Sequence, residues 1–344
     1  MISIIVSSFL LFLFGFFNII GIKPGLFLNQ LTFFLIALGV YLTSRKIGRH
    51  FFKINSATFY WFFVTILIVT YLIGLEVKGS KRWINLYFFN FQGSEFFKVI
   101  FILFMASYLS HRLQYFNRLH VFLTSLIYFA IPFFIIFKQP DLGNSLVLAF
   151  IFAIMVLFSD IPKKYLLYLI VICLLTLPFG WFILKPYQKE RILSFIWPQL
   201  DQQGTAYNMI QAMITVGSGK FFGRGLGLGT QSRLYFLPEN HTDFAFSSLV
   251  EQFGFLGGFF VILLYSIIFF ALIKKVFKFY YMREDEAKEN FLYLIGFLSY
   301  LTFQFIVNIG MNLGLLPIAG IALPFISYGG SSLVALMFGM ALIP

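Results

Sequence analysis

Within Phe236-Leu237-Pro238-Glu239-Asn240-His241-Thr242-Asp243-Phe244, the side chains of Glu239, His241 and Asp243 fall inside five residues, just before a long apolar run that opens at Phe244. A carboxylate there stands where water meets lipid, at the mouth of whatever the membrane helices enclose. That position suits chemistry on a substrate with a polar head and a lipid tail. A local reading competes with it: Thr242 or Asp243 can serve as the N-cap of the helix that follows.

Other polar residues sit where they are costly. Glu95 and Lys98 stand one turn inside an apolar run, and a charge in a span costs roughly 2.5–3.5 kcal/mol. Their i, i+3 spacing puts them on one helix face, where they can neutralise each other. Alternatively, Lys98 faces a cavity and orients a carboxylate from elsewhere, with Asp243 the natural partner. Asp141, in Lys138-Gln139-Pro140-Asp141-Leu142-Gly143, is placed to cap the next helix, to line the cavity, or both. Lys81, Arg82 and Trp83 precede the Glu95 run; the tryptophan is an interfacial anchor or a platform for a sugar, beside two cations that can meet phosphate. Arg224 lies in Gly223-Arg224-Gly225-Leu226-Gly227-Leu228-Gly229. The neighbouring Gly217-Ser218-Gly219-Lys220 is no phosphate loop, since Lys220 is followed by Phe221 and no glycine stands five before Gly219.

These residues need a membrane scaffold to position them. Of 344 residues, 60% are hydrophobic and 11% charged, against roughly a quarter charged in soluble domains. About twenty apolar residues cross a bilayer as a helix. Ten runs qualify: 3–22, 27–44, 56–75, 93–110, 120–137, 143–159, 165–184, 244–273, 291–312 and 320–343. The eighth is long enough to tilt. The expectation is an all-α polytopic membrane protein of about ten transmembrane helices, a single membrane domain over 1–344, with one large extracellular loop at about 185–243 between spans 7 and 8. Within that loop, residues 205–216 are expected to form an interfacial helix. The first run lacks a charged n-region and a cleavage site, so it reads as an uncleaved span.

With the N-terminus inside, short cytoplasmic loops carry thirteen cations, namely Arg45, Lys46, Arg49, Lys53, Arg112, Arg118, Lys163, Lys164, Lys274, Lys275, Lys278, Arg283 and Lys288. Short external loops carry five: Lys23, Lys78, Lys81, Arg82 and Lys138. The positive-inside rule fixes that orientation. The net charge of +12 therefore reflects topology and anionic headgroups rather than nucleic acid. A lone cysteine, Cys173, excludes disulfides, and the four histidines show no metal-ligand spacing.

Four blocks together resemble the SEDS proteins (shape, elongation, division and sporulation) along essentially the whole chain. They are Lys81-Arg82-Trp83-Ile84 with Gln92 to Lys98; Gln139-Pro140-Asp141-Leu142-Gly143; Gly217 to Phe246; and Pro324-Phe325-Ile326-Ser327-Tyr328-Gly329-Gly330-Ser331-Ser332. Gly225 to Ser232 followed by Phe236 to Glu239 is similar to the rod-shape, RodA-like branch, with the cell-division branch as the alternative. The resemblance implies a peptidoglycan glycosyltransferase that polymerises lipid II, an undecaprenyl-pyrophosphate-linked disaccharide peptide, at the outer face of the bacterial cytoplasmic (inner) membrane during elongation. It implies Asp243 as the essential external carboxylate, Trp83 as a functionally sensitive tryptophan, Glu95 and Lys98 as a cavity pair with Lys98 holding Asp243, and Asp141 as a further cavity acid. It also implies a class B penicillin-binding protein, the transpeptidase, as partner within the elongation machinery. The chain departs from the family at Gly93, where proline is common, and at Val250-Glu251-Gln252, where two adjacent acids are commoner, leaving Glu251 alone. The given sequence stops at Pro344 without the usual basic tail, which is expected to weaken anchoring of the tenth helix.

On this reading a sugar hydroxyl attacks the anomeric carbon of a second lipid-linked disaccharide and displaces polyprenyl pyrophosphate. Asp243 takes the proton as general base, and a single displacement inverts the anomeric centre. Lys81, Arg82 and Arg224 offer positive charge to the leaving group, and His241 lies beside Asp243 as a substrate-binding candidate. No cofactor is built in; a divalent cation, Mg or Mn, would be held largely by the substrate pyrophosphate. Two other classes compete: a lipid II flippase, and a scaffold that only recruits the transpeptidase.

Overall fold

The computed structural model describes residues 1–77, 80–85, 90–184, 186–197, 205–282 and 285–344; Lys78 and Arg283, counted above for orientation, lie outside the described residues. Each of the ten apolar runs forms a helix: α1 Ile2–Ile22, α2 Phe27–Ile47, α4 Ser56–Ile73, α5 Gly93–Tyr115, α6 Arg118–Lys138, α7 Leu142–Leu157, α8 Lys163–Ile183, α12 Ala245–Tyr280, α13 Asp285–Asn312 and α14 Gly330–Ala341. Among the described residues, seven candidate spans are long and apolar enough to cross a membrane, and α7 and α14 are shorter apolar helices. Short helices complete the set: α3 Arg49–Ile54, α9 Pro186–Ile196, α10 Thr205–Ser218 and α11 Thr230–Arg233. The helix expected at 205–216 is α10.

Large apolar side chains such as Leu35 (56%), Leu72 (65%), Leu175 (69%) and Phe270 (72%) stand exposed on these helices, while Lys98, Glu251, Asn308 and Asn312 are fully enclosed. That inversion of the soluble pattern is what a lipid solvent requires. The chain is a multi-pass membrane protein.

Two compact units share the chain. The first comprises 1–31, 168–269 and 304–329; the second comprises 32–167, 270–303 and 330–344. In the second, α5 is central and packs against α4, α6, α7 and α14. Its stretch Phe97 to Ala106 is buried throughout, and Phe104 stacks on Tyr60 of α4 at 4.4 Å. Asn117 caps α6 by accepting the Leu119 amide, and Asp141 caps α7 by accepting the Asn144 amide.

The residues before α5 read as a loop but form a small antiparallel sheet, β1 Leu75–Val77, β2 Ser80–Asn85 and β3 Asn90–Phe91, in the order β1-β2-β3. Leu75 pairs with Trp83 and Glu76 with Lys81, so Arg82 is an extra residue at a bulge. Bulges bend a strand and redirect a side chain.

In the first unit the eighth run is not one long tilted helix. Gly254 interrupts α12 with φ 72° and ψ −172°, a region essentially confined to glycine. The broken ends would leave backbone groups orphaned, which hydrocarbon tolerates badly. The segment 220–225 satisfies them: Arg224 N–H donates to Glu251 O (2.9 Å) and Gly225 N–H to Gln252 O (3.0 Å), while Phe255 N–H donates to Lys220 O (2.8 Å) and Leu256 N–H to Phe221 O (3.2 Å). This crossing needs Gly223, because a Cβ there would lie 2.2 Å from Gln252 O. The glycines expected to turn beside a substrate headgroup thus serve first to bring one backbone against another.

The tenth run also differs. Its helix begins only at Gly330, because residues 320–329 form turns and extended backbone. Asn308 donates to Ile321 O (2.7 Å), Leu323 N–H donates to Ser327 Oγ (2.8 Å), and the Tyr265 hydroxyl donates to Pro324 O. Side chains here replace the helical ladder.

Candidate functional site

Asp243 sits in a turn whose backbone is bonded at every step. Glu239, with φ 52°, enters the left-handed region at a cost of about 1–2 kcal/mol for a side-chain-bearing residue. Its carbonyl accepts from the amides of Thr242 (3.2 Å) and Phe244 (3.1 Å). Ser248 Oγ donates to Asn240 O (2.5 Å), Tyr328 N–H to His241 O (2.8 Å) and Ser327 Oγ to Thr242 O (2.7 Å). The Asp243 carbonyl accepts from both Asn308 Nδ2 (3.0 Å) and Asn312 Nδ2 (3.1 Å). Asn312 Oδ1 in turn takes the Ser247 amide (3.0 Å) and hydroxyl (2.5 Å). The Asp243 side chain is half-buried.

The Ser247 amide in the first turn of α12 goes to Asn312, and the Thr242 hydroxyl points back to Glu239 Oε2 (2.9 Å). His241 is held at Nδ1 near Asn240 Oδ1 (3.2 Å), with its ring 5.6 Å from that of Tyr328.

Glu251 fixes the stretch leading to this turn. Fully buried, it accepts from Gln231 N–H (2.8 Å), Ser232 N–H (2.9 Å), Ser232 Oγ (2.6 Å) and Ser218 Oγ (3.3 Å). Two of these are amides in the first turn of α11, where a carboxylate is favoured. Gln252 next to it donates to Asn18 O (3.0 Å) and Asn18 Oδ1 (2.6 Å) of α1, and accepts from Gly227 N–H (3.0 Å). An ionised acid at 252 could not make those two donations. Asn240 Nδ2 donates to Ser232 O (2.5 Å), joining the Glu251 hub to the Asp243 turn.

The second unit holds a separate polar chain. Lys98 is fully buried, with Nζ 2.7 Å from Glu95 Oε1 and 2.7 Å from Asn144 Oδ1, and it lies 4.9 Å from the Tyr300 ring centroid. An ammonium has three N–H groups, and these partners account for them. Asn144 Nδ2 passes the chain on to Asp141 Oδ2 (2.9 Å), which also accepts from Gln92 Nε2 (3.2 Å). Arg82, delivered by the β2 bulge, approaches Asp141 Oδ1 at 3.5 Å. Two cations and two carboxylates alternate along the chain, so it is neutral overall, and Asp141 both caps α7 and belongs to it.

The structure thus brings Arg82, Asp141, Glu95 and Lys98 together, while His241, two residues before Asp243, is held against Asn240 and Tyr328. Trp83 is half-buried on β2 opposite Leu75, and Lys81 is exposed on the same strand. Arg224 is exposed beside the α12 break, its Nε donating to Ser218 O (3.2 Å). Among the described residues, no group of three or more His, Cys, Asp or Glu side chains comes together as a metal site. A half-exposed carboxylate on a pinned backbone can accept a proton, or supply one oxygen to a cation held mainly by phosphates.

Sequence reasoning missed Asn308 and Asn312, although two asparagines at i, i+4 inside an apolar run are a costly signal of internal hydrogen bonding. It also discounted Glu251, which is a hub, and passed over Asn18 and Asn144.

Known proteins resemble the chain in sequence and fold. FtsW of Hydrogenovibrio crunogenus, whose name reads "Probable peptidoglycan glycosyltransferase FtsW", is 34% identical over 307 residues, covering 87% of this chain and 76% of that protein. The peptidoglycan glycosyltransferase RodA of Treponema pallidum is 29% identical, over 92% of this chain and 88% of its own length. A chain solved in a study of how a peptidoglycan synthase complex coordinates polymerization and crosslinking superposes with a TM-score of 0.84 at 26% identity, covering 100% of this chain and 96% of that one. The rod-shape-determining protein RodA of Thermus thermophilus shares the fold, with a TM-score of 0.73 at 24% identity over 99% of this chain and 94% of its own. The family model described as FtsW/RodA/SpoVE, cell cycle protein, matches residues 5–344, and the chain belongs to that family.

Proposed function

We propose that this protein is a peptidoglycan glycosyltransferase that polymerises lipid II, with Asp243 as general base. The observation that carries the reading is a half-buried carboxylate whose backbone is pinned at successive carbonyls, in a family whose relatives bear that activity in their names. Pinning matters because a base must meet the proton it abstracts within hydrogen-bond reach. The attacking sugar hydroxyl forms a bond to the anomeric carbon of the second disaccharide as the bond to pyrophosphate breaks. Its proton passes to the Asp243 carboxylate, and the anomeric centre inverts.

Lys81, Arg82 and Arg224 are assigned to the negative charge of the leaving group, and Trp83 and His241 to the sugar and its surroundings. Arg82 has a second duty at Asp141, whose carboxylate keeps it oriented. Lys98 and Glu95 are assigned to the electrostatics of the substrate cavity. A divalent cation would neutralise the leaving pyrophosphate and take most of its oxygens from the substrate. The site faces outward from the cytoplasmic membrane with the N-terminus inside, which the loop charges support. A class B transpeptidase is the proposed partner.

For the branch, the Gly225 to Glu239 segment favours elongation, whereas division is the second reading, favoured by relatives named FtsW. Depletion separates them: rounding of rods fits elongation, filamentation fits division.

The function is tested by reconstituting the protein with its cognate transpeptidase and supplying lipid II. Glycan strands with inverted anomeric linkages are expected. Labelled lipid II crossing the vesicle membrane with no glycan formed, and unaffected by Asp243→Ala, would instead make the protein a flippase.

A further inference from the structure

A cavity lies within the second unit, at the opposite end of α5 from the Glu95–Lys98 pair. It encloses about 410 Å³ and is lined at its polar end by Lys53, His111 and Arg112, and deeper by Ser107, Phe104 and Tyr128. Along α5, at 1.5 Å per residue, Arg112 stands roughly 20 Å from Lys98, so this cavity is no part of the Lys98 network. Phe104 is about 12 Å further in than Arg112 by the same rise. The lining therefore changes from cationic to hydroxyl to aromatic with depth into the span. A soluble anion would use only the mouth; a phosphate joined to an acyl chain would use the whole length.

Charge at the mouth favours an anion. Glu289 is buried, and Lys53 Nζ lies 3.1 Å and His111 Nε2 3.4 Å from its Oε2, while Lys53 also meets Glu286 at 3.4 Å. Arg49 is close enough to Glu289 and Glu286 to feel both. The cavity lining itself carries Lys53, His111 and Arg112 and no carboxylate. Arg112 is exposed, its guanidinium 5.0 Å from the Phe116 ring, and Lys53 both pairs with Glu289 and lines the cavity. Basic pockets between membrane helices at one leaflet suit anionic headgroups.

We infer that this cavity binds the phosphodiester headgroup and proximal acyl chain of an anionic membrane phospholipid. The test uses the full-length protein in mixed micelles, titrated with phosphatidylglycerol or phosphatidylethanolamine and read by native mass spectrometry. Wild type is expected to retain phosphatidylglycerol preferentially. Arg112→Gln, which removes an exposed cation without stranding Glu289, should cut that preference about fivefold, the worth of one cation near a headgroup. Ala57→Trp, at an exposed alanine lining the cavity, should block retention while leaving every charge in place. Equal retention of both lipids by wild type would overturn the inference, as would preference surviving in both variants. Displacement of the lipid by millimolar inorganic phosphate would also overturn it, making the site one for free phosphate.

Discussion

At the scale of single residues, Asp243 is less a lone carboxylate than the end of a hydrogen-bonded frame. Asn308 and Asn312 both donate to its carbonyl. Each such bond is worth about 0.5–1.5 kcal/mol net, and a buried donor left unpaired costs more. Asn308→Ala and Asn312→Ala should each lower the rate of polymerisation by roughly two- to thirteenfold on that scale, with protein abundance and helicity retained; kinetics on purified variants check this. Lys98→Met should act differently. It strands Glu95 without its cation, and breaking a buried pair costs about 3–5 kcal/mol, so a large fall in thermal stability in detergent is expected, partly relieved by adding Glu95→Gln. These effects show what the sequence disclosed. Glu95 and Lys98 were legible because charge in an apolar run is conspicuous and their spacing is local. The bonds from Asn18 to Gln252 and from Asn308 to Asp243 were not, since they join residues 234 and 65 positions apart. Glu251 was misjudged because a carboxylate's partners can be backbone amides, which carry no residue code.

At the scale of elements, the broken α12 is the feature that most shapes the site. Its first part leads out of the Asp243 turn and carries Glu251 and Gln252, and its break is closed by the 220–225 segment. Gly254→Ala should disrupt both, because the backbone conformation is disfavoured and the new Cβ would lie 2.2 Å from Gly223 N and 2.4 Å from Phe221 O. Strain in such a region costs about 1–3 kcal/mol before any lost hydrogen bonds are added. Faster proteolysis between Lys220 and Arg233 and a lowered melting temperature are the expected readouts. The ten helices were visible as apolar runs, but run length alone does not reveal an interruption whose orphaned groups are satisfied elsewhere. For the same reason residues 320–329 read as helix, and the short strands before α5 read as loop.

At the scale of the whole molecule, many large apolar side chains stand exposed on the helices while Glu95, Lys98, Asp141 and Glu251 are buried, so the bilayer rather than water is the reference solvent. The distribution of loop cations predicts the orientation. In a Cys173→Ser background, a cysteine replacing the exposed Leu226 should react with a membrane-impermeant reagent added outside cells, and one replacing Lys278 should react only after permeabilisation. The reverse pattern would invert the proposed topology. Orientation bears on function because lipid-linked disaccharides polymerised outside require Asp243 on that face.

Whether Asp243 removes a proton during glycan polymerisation is decided by its isosteric amide. Wild type and Asp243→Asn, each copurified with the transpeptidase, are given lipid II and their glycan products compared on the same gel. Asparagine keeps the shape and removes the base, and general-base catalysis contributes about 10²–10⁴ in rate. Strands from wild type, with at most about one hundredth of that rate from a folded Asp243→Asn protein, are the expected result. Equal rates from the two would contradict the account and leave Asp243 with a structural role only.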